Sequence, residues 1–203
     1  MNEIKKILYR FRDGVKAASL REKGIHYAVI LGVPITTLRS IADRYFPNDA
    51  LAEQLWSADH RELKILATMI HRPDTFSCAD TWVKGIQNLE LAEQSCLNLF
   101  SKMPGAGHFA AKWVQSPVLY TRIAGFILYT RLFMANYQLG DDYEPYFHAV
   151  FDAVGSDSLL LKQAAISSLK RLGSQSVIYS KDILARFQST PFYDELYDFS
   201  QVT

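Results

Sequence analysis

Little in this sequence speaks for a disulfide scaffold, a membrane protein or a strongly charged binder. Its 203 residues hold two cysteines, Cys78 and Cys96. They form neither a CxxC motif nor any metal-ligand spacing, so two ordinary thiols in a reducing compartment are expected. Lys and Arg total 22 against 21 acids, a net charge of +1. No whole-molecule field therefore attracts a polyanion, and any such contact must gather its cations on one face. A clean membrane span is also missing. The most apolar stretch, Val118 to Ala135, is long enough to cross a bilayer, but it carries Arg122 and Arg131 and is flanked by amphipathic helices. A buried core helix is favoured and no membrane partner is expected. The opening Met1-Asn-Glu-Ile-Lys-Lys lacks the apolar run of a signal peptide, so the expected location is cytoplasmic. His26, His60, His71, His108 and His148 show no HExxH and no i, i+4 pair. No metal or other cofactor is expected.

Two further absences point to the fold. No window alternates with period two, and the seven prolines fall between periodic runs, never inside one. With 49% apolar residues, disorder is excluded and an all-α fold remains. Helices are predicted at about 2–19, 35–46, 49–57, 60–72, 77–86, 89–103, 107–115, 117–137, 143–154, 157–172, 176–188 and 191–199. Ser116-Pro117 and Thr190-Pro191 read as cap and first-turn pairs, and Gly173 as a stop. The run Leu51 to Ile70 is the clearest module. Leu51, Leu55 and Trp56 lie at helical spacing, as do Leu63, Leu66, Ala67 and Ile70, with a break at Ser57-Ala58. Asp59 and Glu62 fit a capping box there. Neither short helix can hide its stripe alone, which is the logic of an α-solenoid. One domain over 1–203, built as a HEAT-like helical repeat superhelix of about 10–12 helices, is the expectation.

Two charges stand where apolar residues belong. On a wheel of 89–103, Leu89, Ala92, Cys96, Leu99, Phe100 and Met103 form an apolar arc, and Glu90, Gln94, Asn98 and Ser101 face the other way. Glu93 falls inside the arc. The helix from Pro117 is apolar nearly all round yet bears Arg122 and Arg131. A carboxylate so placed must be paired, face a cleft or raise its pKa, and a guanidinium must find carboxylate, carbonyls, solvent or an anion. Either Glu93 pairs with Arg122 or Arg131 and fixes helix register, or these residues line a cleft where the arginines hold phosphate. Trp82 and Trp113 fit the core, and Trp113, just ahead of Ser116-Pro117, also fits the border of such a cleft. Gly105-Ala-Gly107 reads as a turn rather than a phosphate loop. The mildly basic first helix is either a solvated face or a phosphate-contacting end. The stretch Pro191 to Phe199 is either a cap on the last repeat or a docking segment. Its acids Asp194, Glu195 and Asp198 set aside, the body holds 22 cations against 18 acids.

The segments Gly32 to Ala42, Leu51 to Trp56 and Arg61 to Ala67 resemble the opening of the AlkD-like DNA alkylation-repair glycosylases. The likeness runs from about Tyr27 to Leu172, closest in its first third. The resemblance implies an all-α, HEAT-like superhelix whose concave face holds duplex DNA. Family members that are active carry a Trp and, four residues on, a catalytic Asp. The matching segment Asn88 to Gln94 puts Leu89 at the Trp position and Glu93 at the Asp position. The family's cleft arginine matches Arg122, and a second cleft Trp falls near Ser167 or Ser168. The resemblance supports two readings. In one, the protein binds duplex DNA and excises N3- or N7-alkylated purines, with Glu93 catalytic and Arg122, Arg131 and Trp113 on DNA. In the other, it is a non-catalytic scaffold of the same fold, binding a DNA structure or a protein.

Overall fold

The computed structural model describes residues 1–140, 143–194 and 196–197. Twelve α-helices and no strand occur among them. They divide into two compact units, Met1–Pro104 and Gly105–Thr203.

The first unit holds α1 (Asn2–Arg10), α2 (Gly14–Glu22), α3 (Ile35–Ala42), α4 (Asp49–Trp56), α5 (Arg61–Ile70), α6 (Ala79–Lys84) and α7 (Leu89–Asn98). The continuous helix expected over 2–19 is broken at Phe11–Asp13. Asp13 is a strong cap, accepting from the Lys16 N–H at 2.9 Å, and it starts a second helix at Gly14. The α4–α5 hairpin forms as expected, with its break after Trp56. Helix α5 is the hub, touching α3, α4 and α7. Its Leu63, Ile65, Leu66, Ala67 and Ile70 are fully buried, a width that only contact on several sides can cover. Trp56 and Trp82 stack at 4.2 Å between ring centroids, with Phe76 edge-on to Trp82.

The second unit holds α8 (Ala106–Trp113), α9 (Leu119–Met134), α10 (Glu144–Gly155), α11 (Leu159–Gly173) and α12 (Val177–Phe187). Helix α9 lies against α8 and α11, and α11 also meets α10 and α12. The all-round apolarity of α9 is explained by this central position. At Gly125 its backbone meets α8 so closely that an added Cβ would stand 2.7 Å from the Val114 nitrogen. The helix begins at Leu119 rather than Pro117, because Ser116 Oγ accepts from the Val118 N–H and turns the chain first. Gly173 ends α11 from inside its last turn. The helix expected over 191–199 lies partly outside the described residues. No described helix is long and apolar enough to cross a membrane, and the two cysteines are not joined in a disulfide.

Candidate functional site

The first unit's centre is ionic. Glu62 is completely buried, and its carboxylate accepts from the N–H groups of Leu31 (3.2 Å), Gly32 (2.9 Å) and Val33 (3.3 Å). Three successive amides converging on an anion make a nest. The turn needs Gly32, whose φ is +74° and whose absent Cβ would stand 2.3 Å from the Asp13 carbonyl oxygen. Arg61, 1% exposed, donates to Glu62 at 2.8 Å and to both oxygens of Glu90 at 2.7 and 2.5 Å. Burial alone would raise the Glu62 pKa. The His60 ring, Arg61 and the Leu31 N–H outweigh it and hold the group at about 2. Asn88 caps α7 through the Leu91 N–H and donates to the Tyr27 hydroxyl at 2.9 Å. Burial pushes that phenol up to about 12. This cluster is a brace. It ties α5, the 28–33 loop and the start of α7 together, and so aims α7.

The expected capping box at Asp59 and Glu62 is therefore corrected. Helix α5 has His60 at its cap with no side-chain bond. Asp59 accepts instead from the Ala28 N–H, and Glu62 serves the 31–33 loop. Both carboxylates find amides in a segment some thirty residues earlier, which local spacing could not reveal.

Helix α7 also turns differently from its wheel. Its buried side is Leu91, Ala92, Ser95 and Cys96. Glu93 is exposed and Leu89 half-buried, while Glu90, expected on the open polar face, is the partner of Arg61. The expected arc counted Phe100 and Met103 as one helix with Leu89. The α-helix ends at Asn98, and a tighter 3-10 turn over Phe100–Lys102 shifts the phase of the residues beyond it.

Four residues after Glu93, and so on the same face of α7, Leu97 enters a groove of about 340 Å³. Ala42, Met69 and Leu97 give it an apolar floor, and Arg39, Asp43, Asn98 and Lys102 form its polar rim. The Asn98 amide is held by Thr68 Oγ1 (3.1 Å) and Gln94 Oε1 (3.2 Å). Arg39 and Lys102 are exposed, without an ion pair among the described residues. Arg39 lies in the last turn of α3, where the helix dipole favours a cation, and Lys102 closes the 3-10 turn that follows α7. The sequence reading missed this rim, since an isolated Arg and Lys on polar faces carry no signal until three helices bring them together.

The second unit places the other expected residues apart. Arg122 donates to the carbonyls of Val114 (3.0 Å) and Ala149 (3.3 Å) and pairs with Asp152. Its expected demand for carbonyls and a carboxylate is met by α8 and α10. Arg131, nine residues on, projects from the opposite side of α9, so the two arginines do not share one surface. It is half-buried and has no partner among the described residues. Trp113 is 2% exposed, a core residue tilted against Phe109 at 5.6 Å. Ser168 is buried and bonded to the Tyr146 hydroxyl and the Ala165 carbonyl. Its neighbour Ser167 opens onto a cleft of about 670 Å³ walled by Phe151, Leu159, Ile166 and Phe192.

A protein-family profile described as DNA alkylation repair enzyme matches residues 4–178. Among solved structures, the chain resembles one described as "a new family of proteins related to the HEAT-like repeat DNA glycosylases with affinity for branched DNA structures". Identity is 19% and the TM-score 0.80, over 98% of this chain and 82% of that one. The fold is therefore HEAT-like. No curated protein sequence matches the chain.

Proposed function

The chain belongs to the DNA alkylation repair enzyme family, and on that premise we propose that it binds duplex DNA and excises N3- or N7-alkylated purines. The observation carrying this reading is the exposed Glu93, one turn from the Arg39–Lys102 groove on the same face of α7. An alkylated purine is cationic, and its N-glycosidic bond is already weakened. A protein must add negative charge beside the sugar as it becomes oxocarbenium-like, and a positioned water. Glu93 supplies the carboxylate, Arg39 and Lys102 hold the flanking phosphates, and Arg131 gives a further phosphate contact. Arg122, satisfied by Asp152 and two carbonyls, positions α10 against α9.

Pure protein is expected to release free methylated base from alkylated duplex, and Glu93→Gln to abolish that release with DNA affinity retained. No release with enzyme in excess overturns the catalytic part.

A second reading is favoured by one specific feature. Leu89 stands where active relatives carry an aromatic ring, forfeiting a cation–π grip of about 0.5–2 kcal/mol on a charged lesion. Glu93 is also one methylene longer than Asp, and displacements of about 1 Å cost ~10²-fold in rate. A non-catalytic binder of unusual DNA structures fits both, and the branched-DNA affinity ascribed to the similar fold supports it. Base release separates the two readings. Loss of affinity with rising salt keeps the DNA partner in either.

A further inference from the structure

Apart from Phe46, the exposed large apolar side chains of the first unit lie in its first fifteen residues. Tyr9 is 49% exposed, Phe11 51% and Val15 83%. Exposed cations alternate with them, namely Lys6, Arg10, Arg12 and Lys16. Residues 1–16 hold five Lys or Arg and two acids, Glu3 and Asp13, in a chain that is otherwise close to neutral. Asp13 is engaged in capping α2. None of the four exposed cations has an ion-pair partner among the described residues.

These side chains stand on a fixed frame. Ile4 and Leu8 anchor α1 in the core. Lys6, Tyr9 and Arg10, three and four residues apart, share its open side. The turn after α1 is pinned by the Phe11 N–H to the Leu8 carbonyl at 3.0 Å and the Asp13 N–H to the Leu31 carbonyl at 2.8 Å. Gly32 lets the two segments approach. Large rings held in water on a rigid turn mark a contact surface.

The chemistry selects among partners. A lipid surface takes a continuous apolar helix face, and the apolar face of α1 is already buried by the fold. Rings alternating with unpaired cations match single-stranded nucleic acid, where bases stack on aromatic side chains and Lys or Arg track the phosphates. Bases within a duplex are stacked on each other and cannot take that position.

We propose that the α1–α2 turn is a nucleic-acid contact separate from the Arg39–Lys102 groove. Tyr9 and Phe11 stack on unpaired bases, and Lys6, Arg10, Arg12 and Lys16 hold the adjoining phosphates. The proposal rests on the reading that the chain binds DNA, and it adds a single-stranded segment to the preferred partner.

The test is fluorescence anisotropy with two probes, a blunt duplex and the same duplex bearing an oligothymidine overhang. The wild type is expected to favour the overhang about tenfold for each ring engaged. The double variant Tyr9→Ala, Phe11→Ala should bring the overhang probe down to the blunt value and leave blunt affinity unchanged. Circular dichroism checks that its helices persist. The pair Arg39→Ala, Lys102→Ala should weaken both probes together. Equal wild-type affinity for the two probes, or an overhang preference that survives the double variant, overturns this proposal and leaves duplex binding standing. No binding to either probe overturns both. Binding instead to phosphatidylserine vesicles, lost in the double variant, assigns the surface to a membrane and overturns it as well.

Discussion

The two units are held together by contrasting means. At the centre of Met1–Pro104 lies charge, with Arg61 and Glu62 at 1% and 0% side-chain exposure, locked to Glu90 and to three loop amides. At the centre of Gly105–Thr203 lie rings, with Tyr129, Phe133 and Tyr146 in mutual contact, Phe147 against Tyr146, and Phe187 stacked on Phe151 at 4.2 Å. Its Arg122–Asp152 and Arg186–Glu144 pairs stand at the rim, where Asp152 and Glu144 are 74% and 52% exposed. Apolar contact is non-directional and tolerates rotation. A buried carboxylate must have its partners at set angles, so it specifies orientation while adding little net stability. The helix bearing Glu93 is aimed by the ionic unit.

The contrast is tested most strongly by Arg61→Ala, which leaves Glu62 and part of Glu90 uncompensated. A loss of about 3–5 kcal/mol is expected in urea unfolding, and hydrogen exchange should rise first in α5 and α7. A loss under about 1 kcal/mol would mean the cluster is not a brace.

Acid should act next. The Glu62 pKa is depressed from 4.5 to about 2 in the folded state, so its contribution is fully present above pH 4.5 and disappears as pH falls toward 2. That contribution is on the order of 3 kcal/mol. Exchange protection in α5 and α7 should fall over that window, more than in α9 and α11. Glu62→Gln should flatten the dependence. Equal losses in both units would erase the contrast.

The smallest effect belongs to the rim. Asp152→Ala should change stability by about 0–1 kcal/mol in a thermal melt, because Arg122 retains the Val114 and Ala149 carbonyls. A loss above about 2 kcal/mol would give the second unit an ionic brace of its own.

Much of the architecture was legible because it is local. The hairpin from Leu51 to Ile70 shows its stripe, break and lengths within twenty residues, and α9 declares its burial by lacking a polar face. The site was less legible. Glu93 was singled out as a misplaced charge, yet it is exposed, since the 3-10 turn after Asn98 separates Phe100 from the helix that carries Glu93. Its value as a candidate rests on the match to a family position and on the groove at Leu97. Trp113 could be read as core or cleft from its neighbours, and its 2% exposure puts it in the core. Arg39 and Lys102 gave no signal, because a cation on a polar face looks alike whether or not a groove runs beneath it.

The order of apolar and polar residues determined by itself that this chain is helical, where most helices lie and that they must pair, because helical periodicity is a property of neighbours along the chain. Tertiary structure alone decided which partner each charge takes. Asp59 and Glu62 turned to amides of the 28–33 loop, Glu90 to Arg61 and Arg122 to Asp152. Burial makes an unpartnered charge costly without saying where its partner lies, and that choice falls to whichever distant segment the fold brings within hydrogen-bonding reach.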